Sequence, residues 1–184
     1  MYRKNTVRII AGQYRRCLLR FPSCEALRPT PDRTRETLFN WLGSLMHLRC
    51  LDLFAGSGAL GFEAASRGAD YVLMVENNPL IAQYLIDQKN QLQAEEVGVL
   101  LSDANIYLNK CRERFDVIFL DPPFSQNVLP NLLDAVRCHL TEQGLVYVEA
   151  ASLPNNINTW SLLRYGKSRH THYALLKPIN PSAK

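Results

Sequence analysis

What the chain lacks narrows its class before any motif is read. Its 184 residues hold no apolar run of about 18, the length a membrane-spanning helix requires. The five cysteines, Cys17, Cys24, Cys50, Cys111 and Cys138, are odd in number and include no C-x-x-C pair. That pattern argues against a disulfide framework and offers no spacing for a zinc or iron–sulfur site. Free thiols in a reducing cytoplasm, with no bound metal, are the expectation. The basic start MYRKNTVRII leads into no apolar h-region and no small-residue cleavage site, so no secretory signal is read. Repeats and low-complexity linkers are also missing, which favours a single globular unit, expected to be monomeric.

What is present is a core-forming composition with uneven charge. Hydrophobic residues make up 47% of the chain, enough for a sizeable core, and the net charge is only +4. Residues 1–50 carry ten Lys/Arg against three Asp/Glu, leaving the remainder acidic at −3. A basic end on an acidic body suits a polyanionic partner, because neutralising phosphates with Lys/Arg dominates nucleic-acid affinity. The stretch VRIIAGQYRRCLLRF reads as two short strands around Gly12, with Arg8, Arg15, Arg16 and Arg20 on the exposed side. The expected division is a basic β-hairpin extension over 1–27 and a main domain over 28–184. RPTPDRTRETLFNWLGSLM then starts a helix near Thr30, with Pro31 suited to its first position, Asp32 to its first turn, and Leu38, Trp41, Leu42 and Leu45 forming an apolar stripe. Arg28, Arg33 and Arg35 are further candidates, either to contact phosphates or to close over a bound cofactor.

From residue 49 onward, apolar strands alternate with helical segments. RCLDLF precedes AGSGALGFEAASRG, YVLMVE precedes NNPLIAQYLIDQKNQL, VGVLLSD precedes NIYLNKC, DVIFLD precedes LPNLLDAVRCHL, GLVYVEA follows, and the tail reads as an antiparallel hairpin. This order predicts an α/β fold, a mostly parallel sheet covered by helices on both faces. Gly56, Gly58 and Gly61 match G-x-G-x-x-G between the first strand and its helix, and Glu76 ends the next strand twenty residues after Gly56. Glycines let the backbone turn sharply against a ligand, and a carboxylate at the second strand can accept both hydroxyls of an adenosine ribose. The loop therefore predicts a nucleoside-containing ligand. A dinucleotide enzyme would need a second mononucleotide half and a substrate domain, for which the chain has no room.

Within residues 48 to 150, DLFAGSG and VEN resemble the first two motifs of class I S-adenosylmethionine-dependent methyltransferases, and DPPF resembles their fourth, [DNS]-P-P-[YFW]. The resemblance implies a Rossmann-like, seven-stranded sheet with an antiparallel C-terminal strand, preceded here by the hairpin and a helix. It implies S-adenosylmethionine held by Asp52, Phe54, Ala55, Gly56, Ser57, Gly58, Glu76, Asn77, Asp103 and Ala104, with Asp103 reading the adenine amine. Asp52 would orient the glycine loop or touch the methionine amine; Glu149 reads as sheet-end structure. RIIAGQYR, LRPTPDRTRETLFNWL, DLFAGSGALGFEAASRGA and FLDPPF together resemble the bacterial RsmD family of 16S ribosomal RNA guanine-N2 methyltransferases. That resemblance implies guanine 966 of 16S rRNA as target, on the small ribosomal subunit or an assembly intermediate. Family members usually read R-G-R after the hairpin aromatic, where this chain has Arg15, Arg16 and Cys17.

The expected chemistry is centred on Asp121, Pro122, Pro123 and Phe124. Proline cannot donate to a strand ladder, so the apolar run FDVIFL must end there and leave these residues at the sheet's C-terminal edge. An exocyclic base amine is a weak nucleophile because its lone pair is delocalised into the ring. The Asp121 carboxylate and the Pro122 carbonyl can accept its two N–H bonds and favour the pyramidal nitrogen, while Phe124 offers a stacking face. Other amino-group methyltransferases, acting on DNA adenine N6 or protein glutamine, share this chemistry. A non-catalytic RNA-binding protein of the same fold is a third reading.

Overall fold

The computed structural model describes residues 5–22, 29–123, 128–154, 157–169 and 171–179. Phe124 and Arg28 lie outside them. Among the described residues, nine strands and five α-helices follow in the order β1 (Asn5–Arg8), β2 (Leu18–Phe21), α1 (Asp32–Leu42), β3 (Arg49–Asp52), α2 (Ala59–Ser66), β4 (Tyr71–Glu76), α3 (Pro79–Leu92), β5 (Val97–Leu101), α4 (Ala104–Lys110), β6 (Phe115–Leu120), α5 (Leu129–Val136), β7 (Leu140–Ala150), β8 (Trp160–Ser168) and β9 (Thr171–Pro178). Seven strands form one sheet in the order β5-β4-β3-β6-β7-β9-β8. Neighbours from β5 through β7 pair in parallel, and β9 runs antiparallel to both β7 and β8. Chain order reverses at β3, which has β4 on one side and β6 on the other, and open α/β sheets bind ligands at such a switch point.

Residue types explain the layers. Apolar residues fill most of β4 (YVLMVE) and β6 (FDVIFL), as strands buried on both faces require. One face of the sheet packs with α1, α2 and the β1–β2 hairpin through Leu38, Phe39, Phe62, Phe119 and Tyr147. The other packs with α4 and α5 through Leu108, Leu133, Ile118 and Val148. Helix α3 starts at Asn78, whose side chain caps Leu80 and Ile81, with Pro79 at the first position. Helix α1 begins one residue later than its sequence suggests. Pro31 keeps an extended ψ of 148° and serves as the N-cap, so the first helical bond runs from Arg35 N–H to its carbonyl. Strand β7 extends further back than GLVYVEA, to Leu140, because a register shift between Phe115 and Val117 lets both strands pair on either side of it.

The hairpin is a separate two-stranded sheet, yet Val7, Ile9, Leu19 and Phe21 enter the same core as α1 and α2. Its turn docks on the end of α2: Gln13 N–H donates to the Ser66 carbonyl at 2.7 Å and Tyr14 N–H to Ser66 Oγ at 2.9 Å. Gly12 is required here, since its φ is +80° and a Cβ would stand 1.7 Å from the Ser66 carbonyl oxygen. Arg16 has φ +71° at the position where the family pattern carries glycine.

Candidate active site

Four central strands each end in an acidic residue, and the sheet brings these ends to one rim. Asp52 is the last residue of β3 and Glu76 of β4; Asp121 follows β6; Glu149 lies near the end of β7. Asp52 and Glu76 are buried, and Glu149 is 4% exposed. Asp52 accepts from Gly61 N–H at 3.0 Å, which ties the end of β3 to the first turn of α2. Burial pushes the Asp52 carboxyl up to about 7, and the nearby Glu76 charge adds to the rise.

The glycine loop is stretched between strands. Leu53 N–H donates to the Phe119 carbonyl and Ala55 N–H to the Val75 carbonyl, so the chain leaves β3 by binding β6 and β4 in turn. Gly56 N–H then reaches Glu76 Oε2 at 2.9 Å, while Asn78 N–H holds Oε1 at 2.8 Å. Both oxygens of Glu76 are thereby oriented by backbone donors. Gly56 and Gly58 adopt φ +48° and +75°, and a Cβ on Gly58 would come within 2.7 Å of the Phe62 ring. Asp103 caps α4, its Oδ1 accepting from Asn105 and Ile106 N–H, with Oδ2 outside the cap. Ser102 N–H on the Glu76 carbonyl holds this corner beside β4. Phe54 is half-buried, Ala55, Ser57 and Ala104 are buried, and Asn77 is exposed. The donor set fits S-adenosylmethionine: pinned carboxyl oxygens suit a ribose diol, a collar-free loop suits close approach, and a rim of carboxyls suits a ligand bearing a sulfonium and an ammonium.

On the other side of the switch point, Asp121 is half-buried, Pro122 buried and Pro123 exposed. Burial, then the charges of Glu149 and Asp52, raise the Asp121 carboxyl well above the usual range. Burial raises the Glu149 carboxyl as well, and the Thr30 side chain beside the pair opposes the rise at both acids. Tyr147 Oη donates to Glu149 Oε1 at 2.8 Å.

Arg35 requires a correction. Expected at a phosphate, its side chain is fully buried. Its guanidinium donates to Asp32 Oδ1 at 2.6 Å, the Arg8 carbonyl at 2.8 Å, the Thr30 carbonyl at 3.2 Å and Glu63 Oε2 at 3.4 Å. Glu63, also fully buried, accepts in addition from Ile10 and Ala11 N–H and from Arg67 Nε. This cluster clamps hairpin, α1 and α2 together and delivers Thr30 to the carboxyl pair. Arg8, Arg15, Arg16 and Arg33 have exposed side chains, Arg8 lying 3.5 Å from Asp32.

Sequence reasoning passed over Thr30, Tyr147 and the Glu63 cluster, and read Glu149 as mere sheet-end structure. A signal for Glu149 existed: VYVEA ends an apolar strand with an acid just as FLD does.

Strand order, the lone antiparallel strand and the glycine loop at the switch point define a Rossmann-like class I methyltransferase fold. A solved structure described as a putative methyltransferase yhhF from Escherichia coli superposes with a TM-score of 0.85 at 37% identity, covering 95% of this chain and 98% of the other. A putative methylase from Haemophilus influenzae gives 0.80 at 34%, over 96% and 100%. The model of the family described as conserved hypothetical protein 95 matches residues 7–177. "Ribosomal RNA small subunit methyltransferase D" of Escherichia coli strain K12 is 38% identical over 175 residues, 92% of this chain and 88% of that protein. Its Haemophilus influenzae namesake is 40% identical over 174 residues, 88% of each. The chain belongs to this family, the RsmD family.

Proposed function

We propose that this protein methylates the exocyclic N2 amine of a guanine in 16S ribosomal RNA, nucleotide 966 by family resemblance, on the small subunit or its assembly intermediate in the cytoplasm. The observation that carries the reading is the apposition, across β3, of the Gly56–Glu76 corner and the Asp121-Pro122 edge. When bound, S-adenosylmethionine supplies the electrophilic sulfonium methyl. Glu76 would accept the ribose hydroxyls, Asp103 Oδ2 would accept the adenine amine, and the 53–58 backbone would approach the nucleoside closely. Asp121 and the Pro122 carbonyl accept the N–H bonds of the target amine and direct its lone pair toward the methyl carbon. With its lone pair so directed, the amine would take the methyl group that the cofactor supplies, and its surplus proton would pass to water. Most of the rate gain comes from positioning and preorganised dipoles. Phe124 would stack on the base, and Arg8, Arg15, Arg16, Arg28 and Arg33 would neutralise phosphates around it. The target base must be unstacked to expose its amine.

The test is transfer of labelled methyl to small subunits lacking the modification, to naked 16S rRNA, to duplex DNA and to protein, with the product nucleoside identified by mass spectrometry. Label in N2-methylguanosine at one 16S position is expected. Label only in N6-methyladenine of DNA or in glutamine, or in nothing, rejects the reading.

A further inference from the structure

We propose that the outer end of the β8–β9 hairpin is a second RNA-docking surface, on which Lys167 and Arg169 neutralise phosphates of the strand flanking the target nucleotide and Tyr165 stacks on an unpaired base. This rests on the RNA methyltransferase reading above and goes further, because it adds a surface across the active site from the N-terminal arginines. The β1–β2 hairpin leans on α2 and α3, on the β3–β4 side of Asp121, whereas β8 lies beyond β7 and β9.

Charge along the chain is the first observation. Residues 51–150 hold six Lys/Arg against fourteen Asp/Glu, a net −8. Residues 151–184 reverse this with five Lys/Arg and no acid. The acidic body that carries the cofactor corner is therefore bracketed by two basic ends, and a polyanion lying across the active site is attracted at both. Lys167 and Arg169 are exposed, and among the described residues neither has an ion-pair partner.

Register places this second basic end on the catalytic rim. Asp121 and Glu149 follow the Leu120–Val148 pair, Ala150 pairs with His172, and His172 with Lys167. Strands β6, β7, β9 and β8 are consecutive in the sheet, so three spacings of about 4.8 Å put Lys167 about 14 Å along the rim from Asp121. About four nucleotides at a stacked rise of about 3.4 Å span that gap.

Tyr165 supplies the aromatic component. A register shift between Leu162 and Arg164 gives β8 one extra residue, so Leu162 and Tyr165, opposite Leu176 and Ala174, both stand on the α5 face with Lys167 and His172. Tyr165 is 49% exposed there. Its Oη is hydrogen-bonded to His172 Nδ1 at 2.7 Å, with the ring centroids 5.8 Å apart and the rings tilted by 45°. A ring fixed through its hydroxyl and open to solvent loses little freedom on receiving a base. Cations beside an aromatic platform are the combination that binds single-stranded nucleic acid.

The test is filter binding of the full chain to small subunits lacking the modification and to naked 16S rRNA, at about 50 to 200 mM KCl, with single-turnover methyl transfer at saturating subunits and thermal unfolding recorded alongside. Lys167→Gln combined with Arg169→Gln removes both charges and keeps both stems. It should lower the slope of log affinity against log salt by about 1.4–1.8, at about 0.7–0.9 per phosphate, and leave the saturated transfer rate at the wild-type value. Tyr165→Ala should weaken binding at least about fivefold, and Tyr165→Phe, which keeps the ring, less than about twofold. Arg112→Gln, an exposed charge before the opposite end of β6, should change neither affinity nor slope. An unchanged slope in the double variant, or an equal loss in Arg112→Gln, overturns the surface while the methyltransferase stands. So does a loss seen with whole subunits and absent with naked RNA, which would assign the surface to a ribosomal protein. A wild type that transfers no methyl to any RNA rejects the function itself.

Discussion

Replacing Glu63 by alanine should cost more stability than any surface charge change in this protein. Glu63 is fully buried and accepts four hydrogen bonds, from Ile10 N–H (2.8 Å), Ala11 N–H (3.1 Å), Arg67 Nε (2.7 Å) and Arg35 Nη1 (3.4 Å). Arg67 retains some exposure and can turn to water; Arg35 cannot. Its guanidinium keeps Asp32 and two carbonyls but loses its buried counter-charge, and two hairpin amides lose their acceptor. Breaking a buried pair from one side typically costs about 3–5 kcal/mol. For a chain of this length that is a fall of about 6–20 °C in Tm. Removing both partners, as in Glu63→Ala with Arg35→Met, should recover part of the loss, because no uncompensated charge remains. Urea denaturation of the wild type, both single variants and the double variant measures the coupling directly. A Glu63→Ala cost under about 1 kcal/mol, or a double variant that merely sums the singles, would refute the clamp.

Three further outcomes are expected. Asp121→Ala should abolish methyl transfer while calorimetry finds S-adenosylmethionine bound with near wild-type affinity; an active variant removes Asp121 from the mechanism. Asp52 keeps its proton up to about pH 7 in the native state against 3.8 for the free group, so its contribution is full below pH 4 and is lost as pH rises through 7. Ligand-free wild type should therefore lose about 3 kcal/mol more than Asp52→Asn between pH 5 and pH 8, read by urea denaturation; equal losses contradict the assignment. Arg16→Gly should raise stability by about 0.5–1 kcal/mol, since a side chain at φ +71° is strained by about 1–2 kcal/mol and glycine returns part of that gain as unfolded-state entropy. An unchanged or lower Tm would show that the Arg16 side chain makes up for its backbone.

Reading the sequence worked wherever local rules suffice. Strand, glycine turn and helix could be read from period and turn chemistry, and the G-x-G-x-x-G loop with Glu76 at the next strand end was legible as a pair because both lie in one β-α-β unit. The Asp121-Pro122 edge was legible because proline ends a strand wherever it falls. Arg35 failed for the opposite reason. On α1 it looks like any surface arginine, and its counter-charge Glu63 sits 28 residues away.

By itself, then, the order of residues determined the layered α/β plan, the ligand loop and the acidic strand ends, since these follow from backbone sterics and hydrophobic period. Only the tertiary structure decided that β6 and β7 are neighbours in the register that sets Asp121 against Glu149. It also decided that the chain before α1 crosses the rim to supply Thr30. Strand order and burial depend on the balance of packing over the whole chain, and a carboxyl's charge depends in turn on that burial.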